Sequence, residues 1–126
     1  MRRSLIKLTI GALFAALLLI GASDMKPDAN RGRELFEKRC TGCHALDRLK
    51  AGPPLRAIFG RPVARDPKFP YSDSLKGARV AWDEMTLDKW LADPESLIPG
   101  NDMSFRLDNA AERADIIAYL KQLGGK

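Results

Sequence analysis

Apolar residues recur at helical spacing in three stretches of the chain. Gly32, Leu35 and Phe36 fall at i, i+3 and i+4 and predict a helix over 29–39 with one buried face. Leu87, Trp90 and Leu91 repeat the pattern after Thr86, a residue type suited to an N-cap, and Pro94 stands just beyond the end. The longest pattern runs through Ile116, Tyr119, Leu120 and Leu123, opened by an Asn109/Glu112 capping-box pair and closed by Gly124. Between 45 and 81 the chain is punctuated by Pro53, Pro54, Pro62, Pro67 and Pro70 and by Gly52, Gly60 and Gly77, which excludes long regular elements. One short helix is expected near 73–76, and 97–105 reads as loop around Pro99 and Gly100. No alternating run is long enough for a strand, so the expected fold class is all-α.

The start of the chain has a different pattern. Arg2, Arg3 and Lys7 precede an uncharged apolar run over 8–22, followed by the small residues Gly21, Ala22 and Ser23. Positive, then apolar, then small is the order of a secretory signal peptide, assigned here to 1–23. The run is shorter than the ~20 residues that span a bilayer comfortably, and left uncleaved it would serve as a membrane anchor. A flexible polar lead-in is expected over 24–30, and a single domain over 31–126.

Charge enters the picture once the leader is set aside. The chain carries 21 Lys and Arg against 16 Asp and Glu, and three of the basic residues belong to the leader, which leaves about +2. No basic stripe supports nucleic-acid binding.

The chemistry concentrates in Cys40-Thr41-Gly42-Cys43-His44, the c-type haem attachment pattern. Two thiols three positions apart at a helix end can each reach a vinyl group on one porphyrin edge, and the next residue can present its imidazole to the iron. A thioredoxin-like pair would need a preceding strand, and a zinc site would need a fourth ligand. A disulfide between Cys40 and Cys43 would close a loop too short to stabilise much. His44 is the sole histidine, so a second axial ligand from the protein must be another residue type. Thioether sulfur suits ferrous iron. Of Met25, Met85 and Met103, Met25 lies in the lead-in, Met85 is expected to pack in the core beside Trp82, and Met103 sits in a loop that could fold over a haem face. The alternative for Met103 is a gap-filling core residue.

From Gly32 to Leu120 the chain resembles a class I cytochrome c. The resemblance is carried by Gly32-Arg33-Glu34-Leu35-Phe36, the attachment motif, Gly52-Pro53-Pro54-Leu55, Phe59-Gly60-Arg61, Tyr71-Ser72, Trp82, Thr86-Leu87, Pro99-Gly100 with Met103, and Glu112-Arg113-Ala114-Asp115 leading to Ala118-Tyr119-Leu120. It implies three main helices with short helices and long loops wrapped around one covalent haem c, bound through Cys40 and Cys43 and ligated by His44 and Met103. It further implies that Gly32 and Phe36 pack against Ile116 and Tyr119, that the Pro53 carbonyl orients His44, and that Arg61, Tyr71 and Trp82 face a haem propionate.

Several residues depart from the family's pattern: Leu75, Trp90 and Asn101 stand where Asn, Tyr and Thr are usual, and Ala57 replaces a glycine. Around the ligand loop the family's lysines give way to Asp93, Glu95, Ser96 and Asp102, leaving Arg39 and Lys50 as the basic candidates near the haem edge. The resulting expectation is a periplasmic monomeric one-electron carrier, not an enzyme. Its redox partners would be proteins such as a cytochrome bc complex and a terminal oxidase or dehydrogenase. Two alternatives remain at this point: a haem subunit of a larger redox complex, and a peroxidase-like protein with a labile methionine.

Overall fold

The computed structural model describes residues 25–124; the signal-peptide reading of 1–23 lies outside them. Five helices follow in order along the described chain. The first, α1 (Ala29–Arg39), begins where Asp28 adopts an extended conformation and its carboxylate accepts from the Asn30 and Arg31 backbone N–H groups. Ala29 and Asn30 are thus already helical. Lys38 and Arg39 occupy the last turn, where they complement the helix dipole.

Ser72 caps the single-turn α2 (Asp73–Gly77), its hydroxyl accepting from Leu75 N–H. In α3 (Glu84–Ala92) the cap is Asp83 and not Thr86. Asp83 accepts from the Thr86 backbone N–H at 2.8 Å and Thr86 Oγ1 accepts from the Asp83 N–H at 2.8 Å, so the threonine is the other half of a capping box. A charged acceptor one turn upstream extends the helix beyond the boundary that its apolar face marks. Pro94 opens a further turn, α4 (Pro94–Leu97), so the expected loop begins one residue later, at Ile98. The last helix, α5 (Ala110–Gly124), is capped by Asn109 Oδ1, which accepts from Ala111 and Glu112 N–H at 2.9 and 3.1 Å. The Glu112 carboxylate lies 3.9 Å from Arg39, across the helix crossing. Among the described residues the only β pairing is an isolated bridge between Pro62 and Ala81.

The frame is the packing of α1 on α5. A Cβ built on Gly32 would stand 1.9 Å from the Asp115 carbonyl oxygen and 3.0 Å from Tyr119 Cβ, so the two backbones meet at a distance only glycine permits. One turn on, the Phe36 and Tyr119 rings meet edge to face, centroids 5.6 Å apart. The apolar face anticipated for α3 is buried, Leu87, Trp90 and Leu91 packing with Ile116 and Leu120 of α5; Tyr119 and Leu123 of the anticipated α5 face are half-buried, and Ile117, outside that face, is buried with them. Met85 is 62% exposed, which corrects its expected place in the core; it points away from the face that Leu87 and Trp90 bury. Arg113 ties α5 to the segment before it and to α3, donating to the Leu107 and Asp108 carbonyls and to Asp88 Oδ1 at 2.7 Å.

Asp115 is a polar member of this core that apolar periodicity could not reveal. It is 5% exposed, and its carboxylate accepts from the Asp28 N–H at 2.7 Å and from Arg31 Nε and Nη2 at 2.9 and 3.1 Å. The paired carboxylate raises the Arg31 pKa. The two ends of the folded chain are thereby tied through one carboxylate. Arg31→Met leaves the buried Asp115 carboxylate only the Asp28 N–H and should lower stability severalfold more than Asp115→Asn, after which the half-exposed Arg31 can be resolvated. Urea denaturation of both variants checks the order; equal losses would count against it.

Candidate functional site

Helix α1 ends at the attachment motif. Cys40 is its C-cap, donating to the Phe36 carbonyl at 2.9 Å, and the Cys40 carbonyl then accepts from Cys43 and His44 N–H at 3.2 and 2.9 Å. This tight turn presents Cys40, half-buried, and Cys43, exposed, as free thiols on one short arc, with His44 immediately after.

The loop beyond His44 folds back on the motif. Gly52 N–H donates to the Cys43 carbonyl at 2.7 Å, Leu55 N–H to Ala45 at 3.0 Å and Arg56 N–H to Leu46 at 3.1 Å. The Arg56 guanidinium spans both oxygens of Asp47 at 2.6 and 2.7 Å, and Lys50 Nζ donates to the Thr41 carbonyl. That return brings the Pro53 carbonyl within 2.9 Å of His44 Nδ1. A carbonyl can only accept, so Nδ1 carries the proton and Nε2 keeps its lone pair. Burial holds the His44 pKa below the usual imidazole range, which keeps the ring neutral at physiological pH. Burial also pushes the Cys40 thiol up to about 11, the reverse of the shift a thioredoxin-like nucleophile needs.

His44, Cys40 and Cys43 open onto one cavity of about 920 Å³, at the upper end of the range for small-molecule sites. Apolar side chains such as Leu46, Leu55, Ile58 and Leu75 line it, and so do all the other site residues anticipated from the sequence: Pro53, Arg61, Tyr71, Trp82 and Met103. Tyr71 Oη accepts from the Asp66 N–H at 3.3 Å. Met103 reaches the cavity from the loop after α4, and its sulfur accepts from Trp90 Nε1 at 3.2 Å. The sequence presented Trp90 only as an apolar face residue and a departure from the family. In the structure it is a buried donor to a thioether, braced edge to face against Trp82 with centroids 5.3 Å apart. Arg65 also lines the cavity and was not singled out by sequence; it follows Ala64, whose φ of 58° is left-handed and uncommon for a residue with a side chain.

The sequence profile of the cytochrome c family matches residues 29–124. Cytochrome c of Chlamydomonas reinhardtii is 42% identical over 99 residues, spanning 75% of this chain and 88% of the relative. Cytochrome c2 of Rhodomicrobium vannielii is 35% identical over 121 residues, spanning 93% and 96%. Among solved structures, cytochrome cH from Methylobacterium extorquens superposes with a TM-score of 0.71 at 35% identity, covering 75% of this chain and 98% of that one. The chain belongs to the cytochrome c family. It is accordingly a haem-binding electron-transport protein with one covalently bound haem c and its iron.

The residues present fit that group. Among the described residues no cluster of three or more His, Cys, Asp or Glu is set to hold a bare metal ion, while one imidazole, one thioether and two thiols border a single large apolar cavity. A Cβ at Gly52 would stand 2.2 Å from His44 Cε1 and 2.5 Å from Nδ1, so the missing side chain is the space in which the imidazole stands. Gly52→Ala should therefore displace His44 and break its bond to Pro53. The expected outcome is a severalfold lower yield of covalently pigmented protein, read from the alkaline pyridine spectrum; an unchanged yield and unchanged axial signature by electron paramagnetic resonance would reject it.

Proposed function

We propose that the protein is a periplasmic one-electron carrier in which Cys40 and Cys43 would hold the haem by thioethers and His44 Nε2 and Met103 Sδ would bind its iron. The observation that carries this reading is the joint presence, around one cavity, of the attachment turn, an imidazole whose orientation Pro53 fixes, and a thioether that Trp90 fixes. When bound, the haem supplies an iron couple that gains or loses one electron with no bond to the protein made or broken.

The chain's own residues limit the reorganisation that accompanies this change. Pro53 prevents His44 from rotating, and Trp90 prevents the Met103 sulfur from doing so. Both ligands are neutral, which suits an iron that changes by one unit of charge. Arg61, Tyr71 and Trp82 are assigned to the propionates, with Arg65 beside them, because a carboxylate in an apolar cavity requires such partners.

Export through residues 1–23 agrees with the pattern of the leader, and the similarity to cytochrome c2 is long enough to reach into that segment. Among the described residues no helix is long and apolar enough to cross a membrane. The donor and acceptor proposed are membrane or periplasmic redox proteins, such as a cytochrome bc complex on one side and a terminal oxidase or dehydrogenase on the other, met by a monomer. A carrier is favoured over a peroxidase-like enzyme because Met103 is secured at its sulfur, which opposes an open coordination position.

Absorption spectra of the purified protein test the assignment. The native protein should show the near-infrared sulfur-to-iron band. Met103→Ala should abolish that band, lower the reduction potential and admit external ligands; an unchanged spectrum would sink the assignment of Met103. The indole N–H draws electron density from the sulfur and so favours the ferrous state. Trp90→Phe should lower the potential by on the order of 40 mV, the equivalent of one hydrogen bond for a one-electron couple.

A further inference from the structure

The loop that carries Met103 is largely exposed, yet Gly100, Asn101 and the Met103 N–H are engaged in hydrogen bonds. Pro99 and Gly100 form the centre of a turn, with Gly100 at φ +80°, the left-handed value that the second central position of a type II turn requires. Asn101 closes that turn with its side chain, Nδ2 donating to the Ile98 carbonyl at 2.9 Å. The same side chain's Oδ1 accepts from the Met103 backbone N–H at 2.8 Å. Glu95, in α4, brings both carboxylate oxygens to the Gly100 N–H at 3.0 and 3.1 Å, and its Oε2 lies 3.4 Å from Asn101 Nδ2. Pro94, beside it, is among the most deeply buried residues, so the carboxylate projects from an anchored base.

We infer that Glu95 and Asn101 form a latch on the ligand loop that sets how readily Met103 leaves the cavity. The inference rests on the reading of Met103 as an iron ligand. For Met103 to withdraw, its backbone N–H must separate from Asn101 or take Asn101 with it. In the second case the bonds to Ile98 and Glu95 must break together. The Glu95 bonds are charge-assisted, and they fall on the two residues that shape the turn. Trp90 holds the sulfur from the buried side, while the latch holds the backbone from the solvent side. They differ in one property: Trp90 also acts on the electron density of the sulfur, whereas the latch acts only on the frequency of opening. Both are positioning roles.

The test uses the oxidised, covalently pigmented protein and cyanide at concentrations where the uptake rate reports loop opening. Glu95→Ala and Asn101→Ala should each raise that rate about tenfold, with Glu95→Gln in between because it retains one acceptor oxygen. The near-infrared sulfur-to-iron band of the resting protein should persist in all three, and the global unfolding midpoint should move too little to account for the change. Unchanged uptake in Glu95→Ala and Asn101→Ala, in a protein whose native form shows the band, overturns the latch alone. Acceleration that merely follows a loss of global stability also overturns it. Absence of the band from the native protein overturns the Met103 reading and removes the latch's function with it.

Discussion

About 920 Å³ of apolar space lies inside a domain whose described part is only 100 residues long, and the rest of the structure answers to that space. A chain of this size buries too little of its own surface to tolerate an empty core, because apolar walls without partner atoms lose both dispersion contact and water exclusion. Covalent haem fills that requirement and becomes part of the core. It also explains how a long run of proline- and glycine-rich loop between α1 and α2 remains ordered without regular structure. Residues 45–72 have a wall to lie against, and their backbone groups pair locally, as in the returns from Gly52, Leu55 and Arg56.

The helices supply what the loops lack. Because Gly32 lets α1 approach the Asp115 carbonyl directly, the end of α1 and the attachment turn are fixed relative to α5. Asp115 adds a polar tie at the same crossing, with Arg31 and the Asp28 N–H. From that frame the chemistry follows in order: α1 places Cys40, the turn places Cys43 and His44, and the folded-back loop places Pro53 against the imidazole. Helix α3 contributes Trp90 to the site and buries its apolar face against α5, joining the thioether's hydrogen-bond donor to the same rigid body.

Charge around the ligand loop has been turned to internal use. Glu95 and Asp93 stand in a region where the family's pattern has lysines. Here Glu95 holds Gly100, while Asp93 lies 2.9 Å from Arg106 and accepts from Ser96. Asp102 remains exposed. The basic residues bordering the cavity near the attachment turn are also partly committed, Lys50 to the Thr41 carbonyl and Arg56 to Asp47. Around the ligand loop and the attachment turn, the charges of Glu95, Asp93, Lys50 and Arg56 are thus engaged within the protein.

Local and periodic signals determined a great deal by themselves. The attachment motif is readable because thioether chemistry fixes the cysteine spacing, and the extents of α1 and α5 are readable because each buries one face at helical period. The solitary histidine by itself restricts a second protein ligand to another residue type. What only tertiary structure decided depends on partners distant in sequence or on choices between similar local options. Asp83 competes with Thr86 as the cap of α3, and the charged acceptor upstream sets the boundary. Met85 and Met103 are alike by composition, yet one faces solvent and the other meets an indole N–H. Asp115 looks like a surface residue until Arg31 and Asp28 arrive from the far end of the chain. Trp90 reads as packing, since an indole's apolar bulk is visible in a pattern whereas the direction of its single N–H is set only when another loop brings a sulfur to it. Periodicity records which side of an element is buried; it does not record which atom is waiting there.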